Sequence, residues 1–434
     1  MDMKTAAMEA IKTLTDAGFP TFVVGGAARD LAMGRNPKDY DLCTSARPED
    51  VMRLFTKTIP VGVSFGVVVV VIDGVQIEIA TFRTDGCYSD ARRPDIVFYG
   101  DTLEGDLERR DFTMNGLALS VPPYLGSSSA NHRMMGNDEV ILDFVGGLAD
   151  IDAKVIRCIG DPATRFTEDA LRMMRAVRFA AQLGFDIEER TKSAIIHLAR
   201  NINRVSRERV RDEMFKILTS DHASRGISLL FSTGLAQHIF APYVSELNVL
   251  GILQRFERFH VLTPITALAM FLTGMNNDCG LEPILHSLKL STEEFDEVYE
   301  GLDAASDILL TRPGVNMSVY KRLARRKGLQ TALLLVEQDL ALYPFEGQES
   351  TQSIVDMLRS FTVLELYPKP LITGDDLVSM GMQPSRVFSI VLKAVETRQL
   401  DGTFTTRAQA LDYVRGGEWV ETEEEKEQYL ALHK

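Results

Sequence analysis

The clear strand signals in this chain lie before Asp150, and the residues after it read mostly as helix. That switch points to a small α/β or α+β unit of about 145 residues, followed by a long helical remainder. In the first part, Ala7, Ile11 and Leu14 share one helical face over residues 4–17, which Gly18 and Pro20 end. Residues 21–24 read as a strand running into Gly25-Gly26, with a helix from Ala27 to near Met33. Tyr40-Asp41-Leu42 reads as a second short strand, and residues 50–57 as a helix. Residues 67–72 and 75–81 read as strands joined by the tight turn Asp73-Gly74. Residues 125–137 are rich in Gly, Ser and Asn and read as a flexible loop. Beyond Asp150, residues 168–183, 188–200 and 206–218 carry helical periodicity, and no internal repeat is present.

At 434 residues the chain is long enough for about three domains of roughly 150 residues. A 45% hydrophobic content supplies several cores and excludes global disorder. The most apolar run, residues 67–72, falls well short of the ~20 residues that span a bilayer, so no membrane partner is expected. The N-terminus has neither signal-peptide nor transit-peptide character. Cys43, Cys87, Cys158 and Cys279 are too scattered for a zinc or disulfide pattern, which suits reduced thiols in the cytoplasm. The seven histidines form no HD or HExxH motif. The net charge of −14 argues against a nucleic-acid partner only as a global sum. Residues 154–216 hold 14 basic and 9 acidic side chains, and residues 312–327 hold six basic and no acidic ones. Both stretches are suited to meeting phosphates.

Asp39-Tyr40-Asp41 is the sharpest chemical feature. On a strand, residues i and i+2 project to one face, and two carboxylates there need a cation between them. Mg²⁺ favours such carboxylates together with substrate phosphates. Read alone, the same spacing also fits a solvated loop. Upstream, Gly25-Gly26-Ala27-Ala28-Arg29-Asp30 joins a strand to a helix. Glycines admit a phosphate close to the backbone, a helix N-terminus offers free N–H donors, and Arg29 adds a charge-assisted contact to a triphosphate. Alone, this too is an ordinary strand–helix turn. Glu78, on a later strand, is by topology either a third metal carboxylate or a solvent-facing side chain.

Further blocks follow in order: Arg109-Arg110-Asp111-Phe112-Thr113-Met114-Asn115, Asp143-Phe144-Val145-Gly146-Gly147, Ile156-Arg157-Cys158-Ile159-Gly160-Asp161-Pro162, Glu168-Asp169-Ala170-Leu171-Arg172 and Ser206-Arg207-Glu208-Arg209-Val210. From Gly25 to Glu213 this series resembles the class II nucleotidyltransferases of the polymerase β superfamily, the tRNA CCA-adding enzymes and bacterial poly(A) polymerases. Two small departures are Ala28, where valine is usual, and Gly116, where alanine is usual. The resemblance implies a palm-like α/β (α+β) head with a small mixed sheet over residues 1–145. An all-α neck (146–218), body (219–342) and tail (343–434) would follow. It implies template-independent addition or repair of the tRNA 3′-terminal CCA from CTP and ATP, with two Mg²⁺ ions on Asp39 and Asp41. Gly25, Gly26, Arg29 and Arg110 would bind the triphosphate, and Asp111 and Asn115 would position the ribose or a loop. Asp169 and Arg172 would select the base, with Glu168 helping to hold them.

Base selection also has a direct physical reading. At i and i+3 of a helix, Asp169 and Arg172 share a face. A carboxylate accepts hydrogen bonds and a guanidinium donates them. Cytosine and adenine each offer an amino donor beside a ring-nitrogen acceptor, whereas uracil and guanine offer the reverse. An Asp–Arg pair therefore accepts C and A and rejects U and G. Without the other blocks, an exposed helix ion pair is the better reading of the two residues. Arg175 and Arg178 continue the stripe, with Arg165 just before it. They either bind triphosphate or tRNA phosphates, or form a salt-bridge lattice with acidic neighbours.

Residues 83–94 resemble the family's flexible loop, whose presence implies that A can be added. Residues 371–377, with Gly374, Asp376 and then Gly381, resemble the tail element that touches the tRNA elbow in tRNA-specific members; Ser385 stands where glycine is common. The acidic segment 421–427 is unlike the basic extension expected of a processive poly(A) polymerase. CCA addition is thus the preferred reading, with A-only addition or poly(A) synthesis as the alternative. A silent RNA-binding relative is disfavoured by the intact Asp39/Asp41 pair. A small-molecule nucleotidyltransferase is disfavoured by the long helical half.

Overall fold

The computed structural model describes residues 1–60, 66–85, 97–100, 102–121, 131–136, 139–240, 246–259, 263–276, 280–343, 345–420, 422, 426 and 429. Most of the 83–94 loop, Cys87, Cys279 and most of the acidic segment 421–427 lie outside them. The chain divides into two units, Met1–Pro264 with Met275–Lys289, and Ile265–Gly274 with Leu290–Lys434.

The first unit opens with α1 (Met3–Asp16), whose N-cap Asp2 accepts a hydrogen bond from the Thr5 N–H. Ala7, Ile11 and Leu14 are buried, as their spacing requires. β1 (Thr21–Val24) passes directly into α2 (Gly25–Ala32). Gly25 makes that abrupt junction feasible: its φ of +67° lies in the left-handed region, where a side chain is strained. β2 (Asp41–Thr44), α3 (Pro48–Leu54), β3 (Thr58–Ile59), β4 (Val67–Ile72) and β5 (Val75–Thr81) follow. Asp73 and Gly74 both have positive φ, so the β4–β5 turn is the twisted type that Asp-Gly favours.

β6 (Arg83–Asp85) and β7 (Val97–Tyr99) pair antiparallel at the base of the 83–94 loop. Then come α4 (Leu103–Glu108), β8 (Leu117–Ser120), β9 (Asn131–Gly136) and β10 (Glu139–Asp143). The main sheet is mixed, with order β3-β4-β5-β2-β1-β8-β10-β9. Only the β2–β5 pairing in it is parallel. At eight strands it is larger than the small sheet expected. β8 escapes sequence reading because Leu-Ala-Leu-Ser is buried on both faces and cannot alternate. The loop expected over 125–137 is partly wrong: residues 131–136 form the edge strand β9. An edge strand needs no apolar alternation, and Asn131, His132, Met134 and Gly136 are exposed.

After β10, the buried Asp143 carboxylate accepts hydrogen bonds from the N–H groups of Val145, Gly146, Gly147 and Leu148, at 2.9–3.0 Å. This turns the chain into α5 (Gly147–Ala153), from which Asp150 accepts the Thr113 hydroxyl at 2.7 Å. Gly147 lies so close to residue 113 that an added Cβ would sit 2.2 Å from the Thr113 carbonyl oxygen. Gly147→Ala must push this backbone apart and is expected to destabilise the unit by about 1–3 kcal/mol. Thermal unfolding checks this: a Tm within a degree of wild type would contradict it.

β11 (Val155–Ile156), α6 (Pro162–Glu168), α7 (Leu171–Leu183), β12 (Asp186–Ile187), α8 (Glu189–Leu198) and α9 (Arg207–Leu218) complete the part that shapes the site. The region after 145 is not wholly α, because β11 and β12 pair in parallel and residues 246–247 pair with 275–276. The helix expected over 168–183 begins only at Leu171, and Glu168 instead closes α6. Asp169 is extended (φ −142°, ψ 103°), and its Oδ1 accepts the Leu171 N–H at 3.0 Å. The carboxylate thus competes with the helical backbone, ending α6 and opening α7.

In the second unit, the helix Thr292–Leu310 carries a capping box of Ser291 and Glu294 and packs against the helix Leu329–Leu342. A core of Ile372, Leu377, Val387, Val391 and Trp419 lies beneath the C-terminal helices. Half of the basic side chains in the stretch 312–327, Arg325, Arg326 and Lys327, are engaged by carboxylates within the fold. Arg326 is held by Glu300 and Asp307, both at 2.7 Å, and by Asp303. Lys327 pairs with Asp296, Arg325 with Glu396, and Lys321 donates to the Leu400 carbonyl. Among the described residues, no helix is long and apolar enough to cross a membrane.

Candidate active site

A cavity of about 520 Å³ opens where the β1–α2 junction, β2, the segment 110–115, α7 and α9 meet. Its wall includes Gly25, Gly26, Arg29, Asp41, Arg110, Asp111, Asn115, Asp169, Arg172, Arg175 and Arg178, all singled out from sequence. Glu168 stands behind this wall, against Arg172. Asp39 and Glu78 are not among its lining residues.

At the carboxylate end, Asp41 begins β2, whereas Asp39 precedes the strand. The premise that both lie on one strand face therefore does not hold. The parallel pairing sets Leu42 beside Ile79, so Glu78 flanks Asp41 one step back. Desolvation, then Glu78, and more weakly Asp39 push the Asp41 carboxyl above its usual range against the pull of Arg110. Among the described residues, no three Asp, Glu, His or Cys side chains form a closed metal-binding group. The donor set is nonetheless hard carboxylate oxygen under mutual repulsion, which fits Mg²⁺ completed by phosphates and water. The Asp41 shift has a sign for stability. A raised carboxylate pKa in the folded state weakens folding above the unfolded pKa, and the penalty vanishes when both states are protonated. Asp41→Asn is therefore expected to raise Tm at pH 7 in chelator, with the gain fading as pH falls below about 4. A lower Tm at pH 7 would contradict the assignment.

The rest of the cavity is rich in arginine, and each guanidinium has a carboxylate partner. Arg29 pairs with Asp30 at 2.7 Å, Arg110 with Asp106 at 3.0 Å, Arg172 with Glu168 at 2.6 Å. Arg175 pairs with Asp111 at 2.6 Å, Arg178 with Glu213 at 2.9 Å and Arg209 with Asp169 at 2.8 Å. A hydrogen-bond chain links several of them. Arg29 donates to Asn115 Oδ1 at 3.0 Å, Asn115 Nδ2 donates to Asp111 Oδ1 at 3.1 Å, and Arg175 Nε donates to Asp111 Oδ2 at 2.7 Å. Burial is the largest influence on Asp111 and pushes its carboxyl up, but Arg175, Asn115 and the Phe112 N–H together hold it below its usual range. Burial is also the largest influence on Arg178 and lowers its pKa, with Glu213 opposing. The sequence left two readings for Arg175 and Arg178, anion binding or a salt-bridge lattice. Both belong to a lattice, and both also line the cavity.

At the far end, Asp169 and Arg172 both face the cavity, but not as an i,i+3 helical pair. Asp169 lies in the break between α6 and α7, and its partner is Arg209 rather than Arg172. Glu168 holds Arg172, as expected of it. Arg209, Phe179 and Gln182 line the wall without having been singled out as site residues. The signal for Arg209 was present, since it lies in the last block of the motif series. Phe179 and Gln182 follow Arg175 along α7 at helical spacing, and nothing in the sequence marks them as polar-site residues.

In the second unit, the Thr373 N–H donates to Asp376 Oδ2 at 2.8 Å in a capping box, and Asp376 also pairs with Arg407. Gly374 opens this helix (Gly374–Ser379), and Gly381 follows it with a φ of +101°. Ser385, standing where glycine is common, caps the next helix by accepting the Val387 N–H.

Residues 21–157 match the family described as the poly A polymerase head domain, and residues 184–247 match the probable RNA and SrmB-binding site of polymerase A. A CCA-adding enzyme of Leuconostoc mesenteroides is 32% identical over 94% of this chain and 94% of its own length. A CCA-adding enzyme of Geobacillus kaustophilus is 36% identical over 87% of this chain and 88% of its own. The crystal structure of the Bacillus stearothermophilus CCA-adding enzyme in complex with CTP superposes with a TM-score of 0.71 at 30% identity, covering 95% of this chain and 98% of that one. With the fold, the cavity and near full-length relatives in agreement, the chain belongs to the CCA-adding enzymes, a nucleotidyltransferase family that carries the poly A polymerase head.

Proposed function

We propose that the chain adds or repairs the 3′-terminal CCA of tRNA, using CTP and ATP and no template strand. The observation that carries this reading is one cavity lined by Arg29, Arg110, Arg175 and Arg178, by the Asp41 carboxylate, and by Asp169 with Arg172. The RNA 3′-hydroxyl attacks the α-phosphate in line, an O3′–P bond forms, the bond to the β-phosphate bridge breaks, and pyrophosphate leaves. Asp39 and Asp41, flanked by Glu78, would hold Mg²⁺. Bound there, the metal would ease deprotonation of the hydroxyl and offset charge on the leaving pyrophosphate. Arg29, Arg110, Arg175 and Arg178 hold the phosphates beside the open backbone of Gly25 and Gly26. Asp111 and Asn115 act one step back by fixing Arg29 and Arg175. Asp169 accepts the exocyclic amine of C or A, while Arg172 donates to the ring nitrogen.

By role, residues 1–145 serve as head, 146–218 as neck, 219–342 as body and 343–434 as tail. The tRNA acceptor end runs along the neck, and the match of 184–247 to an RNA-binding family supports this. Gly374, Asp376 and Gly381 support the elbow contact through backbone and helix end, since the Asp376 carboxylate is engaged within the fold. The enzyme works in the cytoplasm.

Incubating tRNAs that lack CCA, CA or only A with CTP and ATP, separately and together, tests the reading. Three additions to the first tRNA, stopping at A, are expected. Extension of the last tRNA alone would make this an A-adding enzyme, and long A tracts on any RNA would make it a poly(A) polymerase.

A further inference from the structure

Phe179 does no chemistry, yet three cavity arginines gather around its ring. The guanidinium carbons of Arg178, Arg29 and Arg175 lie 4.3, 5.4 and 5.5 Å from the ring centroid. Arg175 and Arg178 come from the same helix, α7, whereas Arg29 comes from α2 in the head. The ring is almost wholly buried, and its orientation is set edge-on by Phe112, whose centroid is 5.8 Å away at 83°. Phe112 in turn adjoins Asp111, the carboxylate that holds Arg175.

We infer that Phe179 is a positioning residue that gathers Arg29, Arg175 and Arg178 for the nucleotide triphosphate through its aromatic face. Three guanidiniums this close repel one another; Asp30, Asp111 and Glu213 offset part of that, and the ring adds attraction on the side the three share. An aromatic face attracts cations through its quadrupole and uses none of their N–H donors. A further carboxylate at this position would attract the arginines equally but would repel the triphosphate. The carboxylates that do pair with these arginines, Asp30, Asp111 and Glu213, make separate contacts to them. The triphosphate is common to CTP and ATP, so the ring's effect is blind to the base.

This rests on the proposed function only for the identity of the nucleotides, and a binding experiment separates the two. Calorimetry would follow CTP, ATP and inorganic tripolyphosphate on the full-length wild type, Phe179→Leu, Phe179→Met and Phe179→Tyr. Three weak cation–ring contacts lead to an expected loss of about tenfold in affinity for all three ligands in the Leu and Met variants, with recovery in Tyr. In steady state, KM for CTP and ATP rises together, while kcat and the preference for C and A over U and G hold. Met, unbranched and adaptable, fills the same space in a different shape if Leu unfolds the protein. Wild-type affinity in a folded Leu or Met variant overturns the inference, as does a loss confined to one nucleotide or a Tyr variant as weak as Leu. Wild-type protein that binds CTP but extends no tRNA overturns the proposed function and leaves the ring's role standing.

Discussion

Asp41→Ala is expected to cut nucleotide incorporation by about a thousandfold or more while tRNA affinity stays close to wild type. The size follows from charge. A cation at the reacting phosphate supplies several kcal/mol of transition-state stabilisation, and each decade of rate is about 1.4 kcal/mol. The variant is also expected to fold well. Desolvation and Glu78 already push the Asp41 carboxyl up, so its removal relieves an unfavourable interaction. A thermal melt beside the assay checks that loss of activity is not unfolding. Single-turnover incorporation into tRNA lacking its terminal A, alongside a gel-shift titration, separates the two effects. Retained incorporation in a clean preparation would remove Asp41 from the metal site, and loss of tRNA binding in parallel would give it a different role.

The second large effect is on fidelity. Asp169→Ala is expected to erode the preference for C and A over U and G by about 10- to 100-fold, since one well-placed pair to a base edge is worth about 1–3 kcal/mol. Two further consequences arise from the contacts of Asp169. The Leu171 N–H loses its acceptor, which costs about 1 kcal/mol of helix capping. Arg209 loses its carboxylate partner and becomes an extra donor in the cavity. Asp169→Asn keeps an oxygen for the Leu171 cap, so it isolates the recognition effect from the capping effect. Competition assays with all four nucleoside triphosphates read the outcome. An unchanged preference in both variants would refute the templating role.

The head was legible where local chemistry is strong. Asp73-Gly74 announces its turn, the alternating burial of Val67–Ile72 follows its valine run, and Ala7, Ile11 and Leu14 mark one helix face. It was illegible where strands are short and doubly buried, as in Leu117–Ser120, or polar and at an edge, as in Asn131–Gly136. The cavity-lining residues named from sequence lie in blocks that are local in the chain. Their partners were missed when the contact is long-range. Periodicity pairs Asp169 with Arg172, but Asp169 leaves the helix to cap the next one and meets Arg209 forty residues on. The same limit hid the ion pairs of Arg326, because Glu300, Asp303 and Asp307 belong to an earlier helix.

The pairing of every cavity arginine with a carboxylate of the same chain bears on how a turnover ends. When pyrophosphate departs, it does not leave bare cations behind it. Asp30, Asp106, Asp111 and Glu213 stand against Arg29, Arg110, Arg175 and Arg178. The cations that meet the phosphates are thus tempered by fixed carboxylates, which favours release of the anion over its retention. An enzyme that must discharge its product after each addition, and then admit a different base, gains from a recess whose cations are tempered in this way.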